Sequence, residues 1–424
     1  MALSEVNHNP PARRVVITGM GVVAPNGCDL STFWDSIIRG DTAAGPITRF
    51  NTDDLPTKIA CEVKGFDPRR YMDTKLAKRM ELCAQFGIAA STHALADSRI
   101  NIHQLDPDRV AVIEGNYGSG FEGSIREIPS FNAKGYRSIS PFSLMNYSGS
   151  GSGEIAHHLG FKGHAITLST GCASGNDAIG YGMRVIRDGE MDVALAGGTE
   201  AALMKPVFGA YCQNRMMTTQ NSNPRTAMKP LDKNRDGFIL GEGAAFLVLE
   251  ELTHALSRGA NIYAEIAGHG RSCDAYHSVA PHPDGIGMIR AMEKALCMAG
   301  IHCSEVNYIN IHGTATHKND LAELAAFKVF LKDCAHRVAL SSTKPVTGHL
   351  LGASGALESV VCVLALRHGM IPHTLNLSEP EEGYEGDLVM GSSRSYPLNV
   401  VMNLNSGFGG KNACLVLRKY LPTS

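Results

Sequence analysis

The stretch His164-Ala-Ile-Thr-Leu168-Ser-Thr-Gly171-Cys172-Ala-Ser-Gly175-Asn-Asp177 decides how this chain reads. Its first five residues are a strand-like run, and the small residues after them form a turn. A helical pattern follows, with Ile179, Met183 and Ile186 on one face and Gly189 past the end. Cys172 then stands at a helix N-terminus, where unpaired N–H groups and aligned peptide dipoles favour an anion. A thiolate is such an anion, and the ordinary thiol pKa of about 8.5 falls in such places. Gly171, Ala173, Ser174 and Gly175 leave room for a substrate. A cysteine is also a good small core residue. The setting alone therefore leaves nucleophile and inert core thiol both open.

Similar units recur on either side. Apolar runs at Val15–Thr18, Val110–Ile113, Ala165–Leu168, Val193–Ala196 and Phe246–Leu249 form one series. Tyr263–Ile266, Tyr308–Ile311, Val338–Leu340, Val400–Leu404 and Cys414–Leu417 form a second. Helical patterns at Lys75–Asp97, Asp177–Arg187, Met288–Ala299, Asp320–Leu331 and Ala356–Arg367 lie between them. Buried strands alternating with helices predict an α/β fold with largely buried sheets. The two series meet near Arg258–Asn261, which predicts halves at 13–260 and 261–424 after a disordered arm at 1–12. No fixed-period repeat is visible in the letters.

Gly19-Met-Gly21-Val-Val-Ala24 matches the loose dinucleotide fingerprint. The acidic residue expected some 20 positions on would be Asp41, whose neighbours do not read as a strand. A tight turn between packed elements is the expectation there.

Composition narrows the function. The 424 residues are 44% hydrophobic and 19% charged, with a net charge of -2. That suits a soluble globular protein and gives no global reason for nucleic-acid binding. Eleven cysteines without a CxxC pair argue against a disulfide framework or a zinc site and for a reducing compartment. The first residues lack the apolar core of a secretory signal, and no apolar run approaches the roughly 20 residues of a membrane span. A cytoplasmic protein without a membrane segment is expected.

Three further motifs bear on Cys172. They are Asn310-Ile-His312-Gly-Thr-Ala-Thr316, Lys344-Pro-Val-Thr-Gly-His349 with Glu358 downstream, and Asn405-Ser-Gly407-Phe408-Gly409-Gly410-Lys-Asn412. Each joins a strand end to a glycine-punctuated turn, and two of them present a histidine beside glycines and hydroxyls.

From about Arg14 to Tyr420 the chain resembles the β-ketoacyl-acyl-carrier-protein synthases, the elongating condensing enzymes of the thiolase fold. It looks like the synthase II branch and also like the ketosynthase subunits of bacterial type II polyketide systems. The resemblance implies two similar α/β halves packed as five layers, αβαβα. It implies Cys172 as acyl acceptor, His312 and His349 as enolate-stabilising groups, and Lys344 as the residue that fixes their charge state and orientation. Backbone N–H groups of Cys172 and Phe408 would form an oxyanion hole. Phe121, Ser143 and Tyr211 would line the acyl tunnel, with Ser143 replacing a bulkier aromatic. Phe408, flanked by Gly407 and Gly409, would gate it, and Thr314 and Thr316 would contact pantetheine. Lys411 stands where the family usually has Thr.

Lys75, Lys78 and Arg79, with Arg69 and Arg70 nearby, would dock an acidic acyl carrier protein. No metal or cofactor is implied beyond the carrier's own phosphopantetheine. Family members form homodimers, or heterodimers with a chain-length subunit. Three alternatives remain at this level: a catalytically silent chain-length subunit, a thiolase using a late cysteine such as Cys414, and a nucleotide-dependent oxidoreductase resting on Gly19.

Overall fold

The computed structural model describes residues 13–147 and 149–422; the arm at 1–12 lies outside the described residues. Ten strands of the eleven-stranded central sheet carry the two halves, and the two-residue strand Asp387–Leu388 extends one edge beside Ala339–Leu340. In the first half they are β1 (Val15–Val23), β2 (Val110–Gly115), β3 (Ala165–Leu168), β4 (Val193–Glu200) and β5 (Gly243–Glu251). In the second half they are β6 (Ala264–Cys273), β7 (Tyr308–Asn310), β8 (Ala339–Ser341), β9 (Val400–Gly407) and β10 (Lys411–Arg418). The helices that matter here are α1 (Leu82–Ser98), α2 (Phe121–Lys134), α3 (Ser174–Arg187), α4 (Ile286–Ala299), α5 (His317–Leu331) and α6 (Ser354–His368).

The strand order shows the internal duplication that the letters hide. The first half runs β3-β2-β4-β5-β1 and the second β8-β7-β9-β10-β6. Adding five to each label converts one into the other. In both, the first three strands are parallel and the last two antiparallel. A short antiparallel pairing of Val16 and Ile17 with Glu265 and Ala264 joins the halves.

Helix α1 covers β1 and β5 on one outside, and α4 covers β6 and β10 on the other. Between them, α3 and α6 pack on each other and on strands of both halves. This gives the five layers of a thiolase-like fold. Leu351–His368 is apolar and long enough to cross a bilayer by composition, but 89% of it is buried inside the protein. The apolar run is there because α6 is a core helix surrounded on all sides.

Glycines set the layer spacing. A Cβ on Gly21 would lie 2.1 Å from the Ala90 carbonyl oxygen of α1, and one on Gly270 would lie 1.9 Å from that of Ala291 in α4. The Gly19–Gly21 motif is thus neither a phosphate loop nor the expected tight turn. It lies within β1 and lets a helix backbone press against the strand. The same holds where α3 and α6 meet. A Cβ on Gly175 would lie 2.4 Å from the Ala356 nitrogen, and one on Gly355 would lie 2.7 Å from the Asn176 nitrogen.

One expected helix is broken. Lys75–Asp97 divides into a short turn of helix, Thr74–Ala77, and α1. The break follows from Glu81, whose buried carboxylate turns inward to accept the N–H groups of Gly120 at 2.6 Å and Gly123 at 2.8 Å at the start of α2. That tertiary demand overrides the local helical pattern.

Gly21→Val should lower the unfolding midpoint in chemical denaturation by at least the ~1–3 kcal/mol typical of overpacking. Gly209→Ala, in the helix Lys205–Gln213 with nothing within 4 Å of the added methyl, should leave stability equal or higher. Equal losses for both variants would mean that close helix–strand approach is not what holds the layers at their spacing.

Candidate active site

Strand ends from both halves converge on one point. Cys172 lies in the tight turn Gly171–Ala173 that feeds α3 after β3. His312 follows β7, Lys344 and His349 follow β8, and Gly407–Phe408 end β9. The turns before α3 and α6 both need a left-handed residue, Gly171 at φ 66° and Leu351 at φ 46°. Leucine adopts that region at a cost, and such strain is kept where the surroundings enforce it.

Cys172 Sγ is 3.1 Å from His349 Nε2, and the two histidine rings stand edge to face at 5.4 Å. Reactive atoms of Cys172, His312 and His349 lie within 4.8 Å of one another. Ser354 Oγ sits 3.0 Å from His349 Nδ1, and Phe238 packs at right angles to the His349 ring. The Asn405 side-chain amide faces His312 Nδ1 at 3.3 Å and donates to Glu358 at 2.7 Å. Lys344 Nζ donates to the other Glu358 oxygen at 2.6 Å. Lys344 therefore touches neither histidine. It acts through Glu358 and Asn405 on His312. Glu323 fixes the His312 backbone, accepting the N–H groups of His312 at 2.6 Å and Gly313 at 2.8 Å.

The electrostatics follow from burial. Both imidazoles titrate well below the ordinary range, because burial penalises their charge and the Lys344 ammonium adds to it. They are neutral near pH 7. With Asn405 donating to His312 Nδ1, the His312 proton resides on Nε2, which becomes a donor toward the site.

Burial pushes the Cys172 thiol up to about 12, with Lys344 pulling the other way. This corrects the expectation of a lowered pKa: at 5% exposure, desolvation outweighs the helix-start dipole. The resting group is a thiol hydrogen-bonded to a neutral imidazole.

Two cavities meet here. One of about 440 Å³ is lined by Cys172, His312, His349, Thr314, Thr316 and Gly407, among others. The Thr314 and Thr316 hydroxyls are 2.9 Å apart. A second, of about 500 Å³, is lined by Phe121, Ile125, Val207 and Tyr211. Phe408 borders both cavities. A Cβ on Gly407 would lie 3.0 Å from the Cys172 nitrogen and 2.5 Å from the Thr170 oxygen. Only glycine lets the Phe408 backbone come so close to the nucleophile's own N–H.

Other expected positions fall elsewhere. Ser143 lines neither cavity, and its hydroxyl is buried in the turn Pro141–Met145. Gly409 lines neither and donates its N–H to the Ser278 carbonyl at 2.9 Å. Lys411 reaches back to the Ser169 carbonyl at 3.4 Å, pinning the loop end beside the nucleophile's turn. Lys75, Lys78 and Arg79 are exposed, and Arg79 stacks on Phe142 at 3.7 Å. Sequence reasoning missed Glu323, Ser354 and Phe238 and left Asn405 without a role. Their only signal was proximity to motifs already singled out.

Comparison with known proteins settles the lineage. Residues 12–255 match the Beta-ketoacyl synthase N-terminal domain, and residues 263–378 match the Beta-ketoacyl synthase C-terminal domain. The chain belongs to the β-ketoacyl synthase family. It is 40% identical to a 3-oxoacyl-[acyl-carrier-protein] synthase 2 of Synechocystis over 97% of this chain and 99% of that one. Among solved structures, it superposes on the ishigamide ketosynthase/chain length factor with a TM-score of 0.89 at 35% identity, covering 97% of this chain and all of that one. A type II polyketide ketosynthase in complex with its acyl-carrier protein gives the same TM-score at 31% identity, covering 97% and 100% of the two chains. Cys414 does not belong to the cluster of Cys172, His312 and His349. It is fully buried in β10, where burial raises its thiol pKa.

The rate of Cys172 alkylation by iodoacetamide should climb about tenfold per pH unit from pH 7 to 9, with no plateau. A thiol with raised pKa stays protonated throughout that window, so its thiolate fraction keeps growing. A plateau near pH 7 would mean a resting thiolate–imidazolium pair instead.

Proposed function

We propose that this β-ketoacyl synthase is an elongating 3-oxoacyl-acyl-carrier-protein synthase, with Cys172 as its acyl carrier, in fatty-acid or type II polyketide biosynthesis. The observation that supports it is the cluster of Cys172 with two neutral histidines in a cavity walled by the Phe408 loop. A silent chain-length subunit has no use for such a cluster.

In the first half-reaction His349 Nε2 takes the Cys172 proton as Sγ attacks an acyl-carrier thioester. The carbonyl oxygen accepts from the N–H groups of Cys172 and Phe408, and the carrier thiol leaves with a proton. The acyl chain lies in the cavity of Phe121 and Tyr211. In the second half, a malonyl-carrier thioester enters past Thr314 and Thr316. Its carboxylate leaves as carbon dioxide, and the electrons of that C–C bond form an enolate. The Nε2–H of His312 donates to the enolate oxygen, joined by His349 in the tautomer that carries its proton on Nε2 while Nδ1 accepts from the Ser354 hydroxyl. The enolate carbon attacks the acyl-Cys172 carbonyl, the Cys172 sulfur departs and is reprotonated, and 3-oxoacyl-carrier is released. The chemistry as written requires nothing beyond the pantetheine that arrives on the carrier.

The exposed Lys75 and Lys78, with Arg79 held flat on Phe142, suit an acidic carrier protein. A thiol nucleophile calls for a reducing compartment, which fits the cytoplasm.

Pairing with a second thiolase-fold subunit is supported by the edge strand β3. Its residues Ala165-Ile-Thr-Leu168 are exposed or half-buried, which a lone apolar edge rarely is. Thr167 bonds to Gly149 and Gly149 to Ser119, and two residues from these lie the exposed Tyr147 and Phe121. Light scattering on the purified chain should return a dimer mass. A stable monomer that pairs only with a chain-length homologue would make the assembly a heterodimer.

Cys172→Ala should abolish the acyl adduct seen by intact-protein mass spectrometry. His312→Ala should still acylate but lose condensation by at least a hundredfold. Continued chain elongation by Cys172→Ala would overturn the mechanism.

A further inference from the structure

Far along the sheet from the acyl site, two thiols touch. Cys303 opens the turn Cys303–Glu305 that leads into β7, and Cys334 ends the turn Lys332–Cys334 that follows α5 and leads into β8. They are 31 residues apart in sequence, and their sulfurs lie 4.0 Å from each other. Both are half-buried at the rim of the same apolar cluster, so small solutes can reach them. Strands β7 and β8 are parallel neighbours, Tyr308 against Ala339 and Ile309 against Leu340. The thiol pair thus bridges the feet of the two strands whose opposite ends lead to His312 and Lys344.

The imidazole of His302 lies beside the pair, with Nε2 3.9 Å from Cys303 Sγ and Nδ1 held by the Ser304 hydroxyl at 2.8 Å. Among the described residues, the one His/Cys/Asp/Glu group with metal-ligand proximity is that of Cys172, His312 and His349. The Cys303 pair therefore reads as a dithiol, not as a three-ligand metal site.

We propose that Cys303 and Cys334 form a disulfide, an oxidative modification site separate from the acyl-accepting cysteine. The sulfurs stand about 2 Å further apart than a disulfide bond length, a gap that side-chain rotation closes. The oxidant is a hydroperoxide. One thiol sulfur attacks its O–O bond, giving a sulfenic acid and releasing the alcohol. The second thiol sulfur then attacks the sulfenic sulfur, forming S–S and releasing water. Two electrons pass from the sulfurs to the peroxide, and the two thiol protons leave in the alcohol and the water.

Half-exposed and paired, these thiols are consumed before the buried Cys172, which lies at the floor of its cavity. The bond closes the loop that contains α5, whose Glu323 holds the His312 backbone. It is a brace on the catalytic strands that leaves the site itself untouched.

The reduced full-length protein is titrated with hydrogen peroxide, its remaining thiols are alkylated, and tryptic peptides are mapped without reduction. The expected product links the peptide Ala295–Lys318 to Asp333–Arg337, two hydrogens lighter than their sum. It appears while more than half of Cys172 is still alkylatable, and the thermal midpoint rises. Cys297 shares the first peptide. Cys297→Ser should keep the link, whereas Cys303→Ser and Cys334→Ser should each lose it with unchanged unoxidised activity. The proposal fails if the link persists in Cys303→Ser, or if Cys303 and Cys334 both stay alkylatable at peroxide levels that already consume Cys172.

Discussion

The site hangs on one buried ion pair. Lys344 is fully buried, and Glu358 lies in the middle of the core helix α6. Two such charges are costly to bring out of water, and their attraction offsets that only when the remaining donors and acceptors are also engaged. Here one Glu358 oxygen takes Lys344 and the other takes Asn405, whose amide also meets His312. A methionine and a leucine would fill the same space as cheaply, so stability alone does not explain the pair. What it provides is orientation. It ties β8, β9 and the turn after β7 to one helix and fixes which nitrogen of His312 carries the proton. Burial holds both imidazoles neutral, and the nearby ammonium adds to this by disfavouring a second positive charge.

That arrangement depends in turn on how closely α3 and α6 meet. Gly175 and Gly355 remove the side chains that would separate the helices. Into the space come Asn176, Ser359 and Asn403, which hydrogen-bond to one another. Helix α3 begins just after Cys172, and α6 carries Ser354, which orients His349. The 3.1 Å between sulfur and imidazole is thus set by the meeting of two helices from two halves of a duplicated fold. No local motif sets it.

Much of this was legible in the letters. The ten apolar runs all became strands, because a buried strand needs little more than a short β-branched run between glycines. The nucleophile's turn and the two histidine turns were visible because close backbone approach demands glycine at fixed places. What stayed hidden was long-range. Glu81 breaks a helix to cap another some 40 residues on, and nothing in its own neighbourhood predicts that. Gly19–Gly21 reads as a turn because helix proximity and turning both select glycine. Asn405 and Glu323 acquire roles only once strands far apart in sequence lie side by side. Of the residues expected to line an acyl tunnel, Phe121 and Tyr211 fell on a cavity wall, while Ser143 did not, since its segment folds away into its own turn.

The thiol shows how two sound local rules can oppose each other. A helix start favours a thiolate by at most ~2 kcal/mol even in partly buried geometry. Taking a charge from water into a site this enclosed costs more. Burial wins, and the sulfur rests protonated against a neutral base. This suits a two-stage reaction. A resting thiol places no unpaired charge in the desolvated site, and acylation keeps the sulfur uncharged when the malonyl carboxylate arrives to lose carbon dioxide. A thiol activated only as it attacks, by an imidazole whose own charge is suppressed by Lys344, becomes a neutral thioester once acylated. The same imidazole is then free as a donor for the enolate. One histidine serves both halves because burial, aided by the Lys344 ammonium, holds it neutral while Ser354 can meet either tautomer.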